Sequence, residues 1–328
     1  MNISSDAKPF QRLAVLGLGL LGGSVAAAAK ERGLAREVVG AARRSGPLER
    51  ALAAGIVDSV ATPAEAVIGA DLVVLGTPVG SMERVLSEVG SGLSPGCLVT
   101  DVGSVKGAVV DRLPGLLPEG VIFVGSHPMA GSHLRGPDHA RADLFEGATC
   151  VVTPVTNPGG IQADDLGEGN AAVERIESLW RSLGARVERR SAGDHDEDVA
   201  WVSHLPHLVA FAYADALHDA PDRVGELAGG GFRDFTRIAQ SDAEMWGEIL
   251  RLNGKALSGP LNHFSASVAK LARALEEGDD QSLERLLNLA RMRLAEVAAR
   301  ASSEGRASSE GRASSEGRAS SEGRANDV

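Results

Sequence analysis

Residues 13–24 read L-A-V-L-G-L-G-L-L-G-G-S, and no other stretch limits the possible folds of the chain as tightly. Leu13 to Leu16 is a short apolar run of strand type. Gly17, Gly19 and Gly22 follow at G-x-G-x-x-G spacing, and Val25 to Lys30 is alanine-rich and helical. A strand, a tight turn and a helix in that order form a dinucleotide-binding unit. Gly17 permits the turn, Gly19 lets the backbone approach a pyrophosphate, and Gly22 lets the helix lie close to the strand. The helix start, with Leu20 and Leu21, offers free N–H groups and a positive dipole end to phosphate. With 40 glycines in the chain, such a spacing by itself is weak. The strand and helix that flank it are what give it meaning.

The rest of the first half repeats the alternation. Val38–Ala41, Asp71–Gly76, Leu98–Val102, Val121–Gly125 and Ala148–Thr153 read as strands. Pro47–Ala54, Met82–Val89 and Val105–Leu113 read as helices between them. Unbroken apolar strands separated by helices predict a parallel sheet covered on both faces, with ligands at the carboxyl ends of its strands. Pro154 to Asn170 is rich in Pro, Gly, Asn and Asp and reads as a linker or surface loop. Ala171–Leu183 is an amphipathic helix, Ala185–Glu188 a last strand, and Glu197–His218 the first of a series of helices. The expected organisation is an α/β Rossmann-type doubly wound domain over 11–154, then an all-α helical domain over 155–300. Residues 301–328 contain four copies of A-S-S-E-G-R, which have nothing to bury and are expected to be a disordered tail.

At 328 residues the chain has room for about two domains. It is 43% hydrophobic but only 3% aromatic, so its core must be built from Ala, Val and Leu. The formal charge of −11 and the lack of a basic stripe argue against a nucleic-acid partner. Cys97 and Cys150 stand in apolar runs, as buried thiols of a reducing compartment do. Met1–Gln11 has no apolar stretch of signal-peptide type, and no run is long enough to span a membrane. A cytoplasmic protein is expected.

Three strand ends carry residues suited to chemistry. After the second strand, Arg43 and Arg44 stand where an NAD enzyme keeps a carboxylate for the ribose. Arginine there suits a 2′-phosphate, hence NADP rather than NAD. Solvated loop charges are the plain alternative. Ser126-His127-Pro128 puts His127 in a turn at the ligand edge, as a general base would be. Ser104 stands at the neighbouring strand end, able to cap the next helix or to donate into the same cleft. Farther on, His204 and His207 lie three apart on one helix face. No further ligand stands at a spacing suited to zinc, so no metal site is expected. Gly229-Gly230-Gly231 is a hinge into a helix bearing Arg233 and Arg237, side chains able to grip a carboxylate with two parallel bonds.

Five blocks in order resemble the prephenate and arogenate dehydrogenases of tyrosine biosynthesis: G-L-G-L-L-G-G-S, D-V-G-S-V-K, G-S-H-P-M-A-G-S, V-S-H-L-P-H, and G-G-G-F-R-D-F-T-R-I-A followed by Met245-Trp246. The likeness runs from Leu13 to about Arg300. It implies oxidative decarboxylation of a cyclohexadienyl substrate, prephenate or arogenate, with hydride passing to NAD(P). It implies that His127 takes the C4 hydroxyl proton with Ser104 in support. Arg237, His204, His207, Lys106 and Trp246 would bind substrate, and Thr77 and Pro78 would join the glycine turn in binding cofactor. A homodimer built through the helical domain is expected. Many members that use prephenate carry Glu and Ser after H-P-M-A-G-S. Here His133-Leu134-Arg135 follows Ser132, so the choice of substrate stays open. A β-hydroxyacid-type NADP dehydrogenase and a non-catalytic NADP sensor are the rival readings. The first would want a glycine-hinged lysine, and neither Lys255 nor Lys270 is one.

Overall fold

The computed structural model describes residues 10–131, 134, 136–154 and 167–300. Of the linker expected over Pro154–Asn170, residues 155–166 fall outside them, as do Ser132, His133, Arg135 and the repeat tail at 301–328. Gly167–Asn170 are helical and not part of a loop. The chain divides into two compact units, with the break after Pro260.

The first unit is built on one eight-stranded sheet of order β3-β2-β1-β4-β5-β6-β7-β8. Its strands are β1 (Phe10–Leu16), β2 (Ala35–Ala41), β3 (Ser59–Ala61), β4 (Leu72–Leu75), β5 (Leu98–Asp101), β6 (Ile122–Pro128), β7 (Thr149–Thr153) and β8 (Arg186–Arg189). Strands β1 to β6 run parallel, in the order of a dinucleotide-binding sheet. The expectation of a wholly parallel sheet is corrected at one edge: β7 runs antiparallel to β6, and β8 runs parallel to β7. The sheet therefore continues past residue 154, and β8 belongs to it. The three-residue β3 escapes any sequence pattern because it is too short to show a period.

The helices are α1 (Leu20–Glu31), α2 (Ser45–Ala53), α3 (Pro63–Ala66), α4 (Val79–Val89), α5 (Gly107–Arg112), α6 (Gly167–Ser182), α7 (Ala192–Val199), α8 (Leu205–Ala216), α9 (Gly230–Thr236), α10 (Ala243–Leu252) and α11 (Gly254–Glu276). Successive strand residues point to opposite faces, and here both faces are buried. Leu13, Val15, Val38, Leu72 and Val74 pack on one side with Val25, Ala28 and Ala29 of α1 and Val173, Ile176 and Trp180 of α6. Ala14, Leu16, Val39, Val73 and Leu75 pack on the other with Met82, Leu86 and Val89 of α4 and Val109 of α5.

The single helix expected over Glu197–His218 is instead interrupted. Between α7 and α8 the chain makes a π-helical turn, Ala200–His204. Pro206 has no N–H to give the carbonyl four residues back, and its ring crowds that carbonyl. A wider turn relieves both, and such turns often mark functional positions. In the second unit the chain is helical to the end of α11 and again over 280–300. Among the described residues no helix is long and apolar enough to cross a membrane.

Candidate active site

The strand ends at the carboxyl edge are held in register. Gly17 N–H bonds Ala41 O at 2.8 Å and Gly76 N–H bonds Leu16 O at 2.8 Å. Gly17 has φ of +108°, and a Cβ there would come within 2.7 Å of the Gly76 backbone. On Gly22 a Cβ would lie 2.0 Å from Gly17 O, so α1 approaches the turn more closely than any side chain allows. Gly19 is different: a Cβ there would enter open space. It caps α1 with no side-chain bond, which leaves the first N–H groups of Leu20, Leu21 and Gly22 for an anion. Beyond β4, the buried Thr77 Oγ1 has no partner among the described residues, and Pro78 follows it exposed. An open cradle with free donors and an orphaned hydroxyl beside it fits a dinucleotide. Arg43 and Arg44 lie exposed after β2, and no carboxylate occupies Ala41–Ser45.

The ends of β5 and β6 are joined by a buried polar network. Asp101 ends β5, and the Lys106 ammonium pairs with it, both side chains wholly buried. The carboxylate also accepts from Gly103 N–H at 2.8 Å and Ser126 N–H at 3.0 Å. Lys106 Nζ donates again to Ser126 O at 2.9 Å. Trp180 Nε1 donates to Ser126 Oγ at 2.9 Å, which lies 2.8 Å from Thr100 Oγ1. Taking a charge pair out of water costs several kcal/mol per ion, so what this pair contributes is position more than stability. The expected role of Lys106 as a substrate ligand is corrected here: its ammonium is spent inside the sheet.

Next to this network, His127 closes a chain of three polar side chains. His127 Nδ1 lies 2.8 Å from His195 Nε2, and His195 Nδ1 lies 2.8 Å from Asp196 Oδ1. The Asp196 carboxylate also accepts from Lys106 N–H and Gly107 N–H, each at 2.8 Å, at the start of α5. Burial works to raise the Asp196 pKa, but the bonds from His195 and the two backbone N–H groups outweigh it, so the group stays ionised below its usual range. An ionised carboxylate only accepts, so His195 must carry its proton on Nδ1. His195 Nε2 is then bare and takes the Nδ1–H of His127. The proton positions run one way along the chain and leave His127 Nε2 with a free lone pair. Burial first, then the neighbouring His195, hold the His127 pKa well below the ordinary imidazole value.

The support expected for His127 from Ser104 is corrected: His195 holds the ring, and Ser104 neither bonds it nor caps α5, whose cap carboxylate is Asp196. His195, Asp196 and Asp101 were not singled out from sequence. Asp194-His195-Asp196 sits in a run of carboxylates that reads as a solvated helix face. Asp101, an acid closing an apolar strand five residues before a lysine, was the one visible signal.

His204 and His207 share a single aromatic support. The His207 ring stacks on Trp246 at 3.6 Å and 18°, and His204 meets the same indole edge-on at 5.9 Å. Trp246 is buried, so it backs the two rings, where sequence reading had it binding substrate directly. His207 Nδ1 donates to Ser203 O at 2.9 Å. Burial lowers the His207 pKa, the Ser203 carbonyl opposes this, and the nearby Arg237 guanidinium lowers it further. Arg237, exposed after α9, thus stands within electrostatic reach of His207.

A family model described as prephenate dehydrogenase, nucleotide-binding domain, matches residues 25–189, and one described as prephenate dehydrogenase, dimerization domain, matches 191–289. The chain is 34% identical over 280 residues to the prephenate dehydrogenase of Bacillus subtilis, covering 84% of this chain and 73% of that one. It is also 34% identical over 292 residues to the cyclohexadienyl dehydrogenase of Zymomonas mobilis, covering 87% and 96%. The crystal structure of prephenate dehydrogenase from A. aeolicus, in complex with hydroxyphenyl propionate and NAD+, superposes with a TM-score of 0.79 at 29% identity, over 89% of this chain and all of that one.

Proposed function

Since the chain belongs to the prephenate dehydrogenase family, we propose that it oxidatively decarboxylates prephenate or arogenate, with His127 as the base. The observation that carries this reading is the hydrogen-bond chain from Asp196 through His195, which leaves His127 Nε2 as a bare acceptor at the ligand edge of the sheet. A nicotinamide dinucleotide held by Gly17, Gly19, Leu20, Leu21, Gly22 and Thr77 would supply the hydride acceptor. His127 Nε2 takes the proton of the ring C4 hydroxyl as that carbon is oxidised. Loss of the ring carboxylate as carbon dioxide then completes an aromatic ring. The positive charge that forms on His127 faces His195 and, beyond it, ionised Asp196, which stabilises it in a water-poor setting. Ser104, half-buried just beyond β5, would face the same edge, and Arg237 with His207 would make the clamp for a substrate carboxylate. Assay of the purified protein with prephenate and arogenate, each with NAD and NADP, tests the reading. No reduced-nicotinamide absorbance with any pairing would overturn it.

Two expectations follow for the binding groups. Arg43 and Arg44 support a preference for NADP. Arg43→Asp should weaken NADP about 10- to 100-fold, the range of one charge-assisted contact, while NAD changes far less. Equal losses for both cofactors would remove the arginine from phosphate recognition. Arg237→Gln should raise KM by about 10- to 100-fold and spare turnover, because a carboxylate grip is made alike in ground and transition states. Fluorescence titration of cofactor and steady-state kinetics give the two readouts.

A homodimer through the helical part accords with the match to a dimerization domain and with the exposed Leu287, Leu289, Met292 and Leu294. Light scattering of the full chain reads it directly.

A further inference from the structure

Asn253 follows α10 and is buried at 3% exposure. Its Nδ2 lies 2.8 Å from Asp196 O and 2.8 Å from His204 Nδ1. A backbone carbonyl only accepts, so the amide must turn its nitrogen toward Asp196 O. Both acceptors then draw on that one NH₂ group, and His204 Nδ1 can meet it only as a lone pair. The ring proton is thereby placed on Nε2, which no described residue engages. We infer that Asn253 is a positioning residue that holds His204 as its neutral Nε2–H tautomer, a donor for an oxygen of the bound substrate.

The groups facing His204 allow this. Asp196 and His195 come from α7, His127 from β6, His207 from α8 and Trp246 from α10. Burial lowers the His204 pKa, Asp196 opposes this, and His195 and His207 lower it further, to about 4. The ring is therefore neutral at working pH, and its proton position is decided by its hydrogen bonds alone. The same Asp196 anchors both halves of the site. Its carboxylate, through His195, sets His127 as an acceptor toward the cleft, and its carbonyl sets Asn253 and so His204 as a donor. Together they offer one acceptor and one donor to a ligand that carries a hydroxyl and a carboxylate. The identity of that ligand rests on the reading above, whereas the tautomer does not.

The test is ¹⁵N NMR of histidine-labelled protein, with His204 assigned through His204→Gln, alongside kinetics across pH. In the parent, Nδ1 should read as the bare nitrogen and Nε2 as the protonated one. Asn253→Asp replaces the donor by an acceptor, so the proton should move to Nδ1. KM should then rise about 10- to 100-fold at neutral pH with a smaller change in turnover. On acidification the second proton returns Nε2–H, and the KM of this variant should fall again, a rescue that a merely structural role would not produce. Asn253→Ala should raise KM with no such rescue. Should the aspartate variant fail to fold, the parent spectrum and the alanine variant still decide. A parent His204 protonated on Nδ1, or an aspartate variant with parental KM throughout, would overturn the inference. The expected tautomer with no turnover of prephenate or arogenate would count for the tautomer and against the reaction.

Discussion

Turnover of His127→Asn is expected to fall by ~10²–10⁴, with KM for the substrate moving far less. Asparagine keeps a donor for His195 Nε2, so the local packing is preserved while the basic nitrogen is lost. The base acts mainly in the transition state, which is why the loss should appear in turnover. The parent should also show a particular pH profile. A base works deprotonated, and burial together with His195 lowers the His127 pKa well below 6.5. The acid limb of kcat/KM should therefore lie below the ordinary imidazole value of ~6.5. Steady-state kinetics from neutral to acid pH, with circular dichroism to confirm folding, give the answer. A variant with near-parental turnover would remove His127 from the chemistry.

The second large effect is expected at Asp196, which reaches His127 through His195. Asp196→Asn puts an NH₂ group against either Lys106 N–H and His195 or Gly107 N–H, all of which now donate to oxygen. When the amide faces His195, the proton order along the chain reverses and His127 Nε2 becomes a donor. Turnover should drop by ~10²–10⁴, as when the buried aspartate of a serine-protease triad is made asparagine. Folding should also weaken by about 1–3 kcal/mol, since a buried N–H loses its acceptor. His195→Gln separates the two consequences, because it breaks the chain but leaves the α5 N–H groups bonded. It should lower turnover while the melting temperature holds. If Asp196→Asn keeps parental turnover, the carboxylate has no part in setting the base.

Much of this site was legible because it lies at strand ends. The glycine turn, Thr77 and Ser104 each follow an apolar run, and a parallel sheet gathers the ends of its strands at one edge. His127, expected in a turn, lies instead within β6, buried and paired with Val151 of β7. His195 and Asp196 were not legible, because what gives them their role is a contact with His127 across 68 residues. In the chain they look like solvated charges in a polar helix. Lys106 was legible as chemistry but misread in its role. A lysine just beyond a strand looks available to ligand until Asp101, five residues earlier, is seen buried against it. The capping box at Thr62 and Glu65, which starts α3, was there to be read in T-P-A-E. The π-helical turn that ends at His204 had only Pro206 to announce it.

The α5 helix has no side chain of its own to satisfy its first N–H groups. It borrows a carboxylate from 90 residues downstream. The start of α5, just beyond β5, is thus completed by a carboxylate of α7 within the same compact unit. When Asp196 seats there, the same atom that completes the helix also orders the protons of the base. One carboxylate is thus shared by the start of α5 and the His195–His127 pair, so a change at either place is felt at the other.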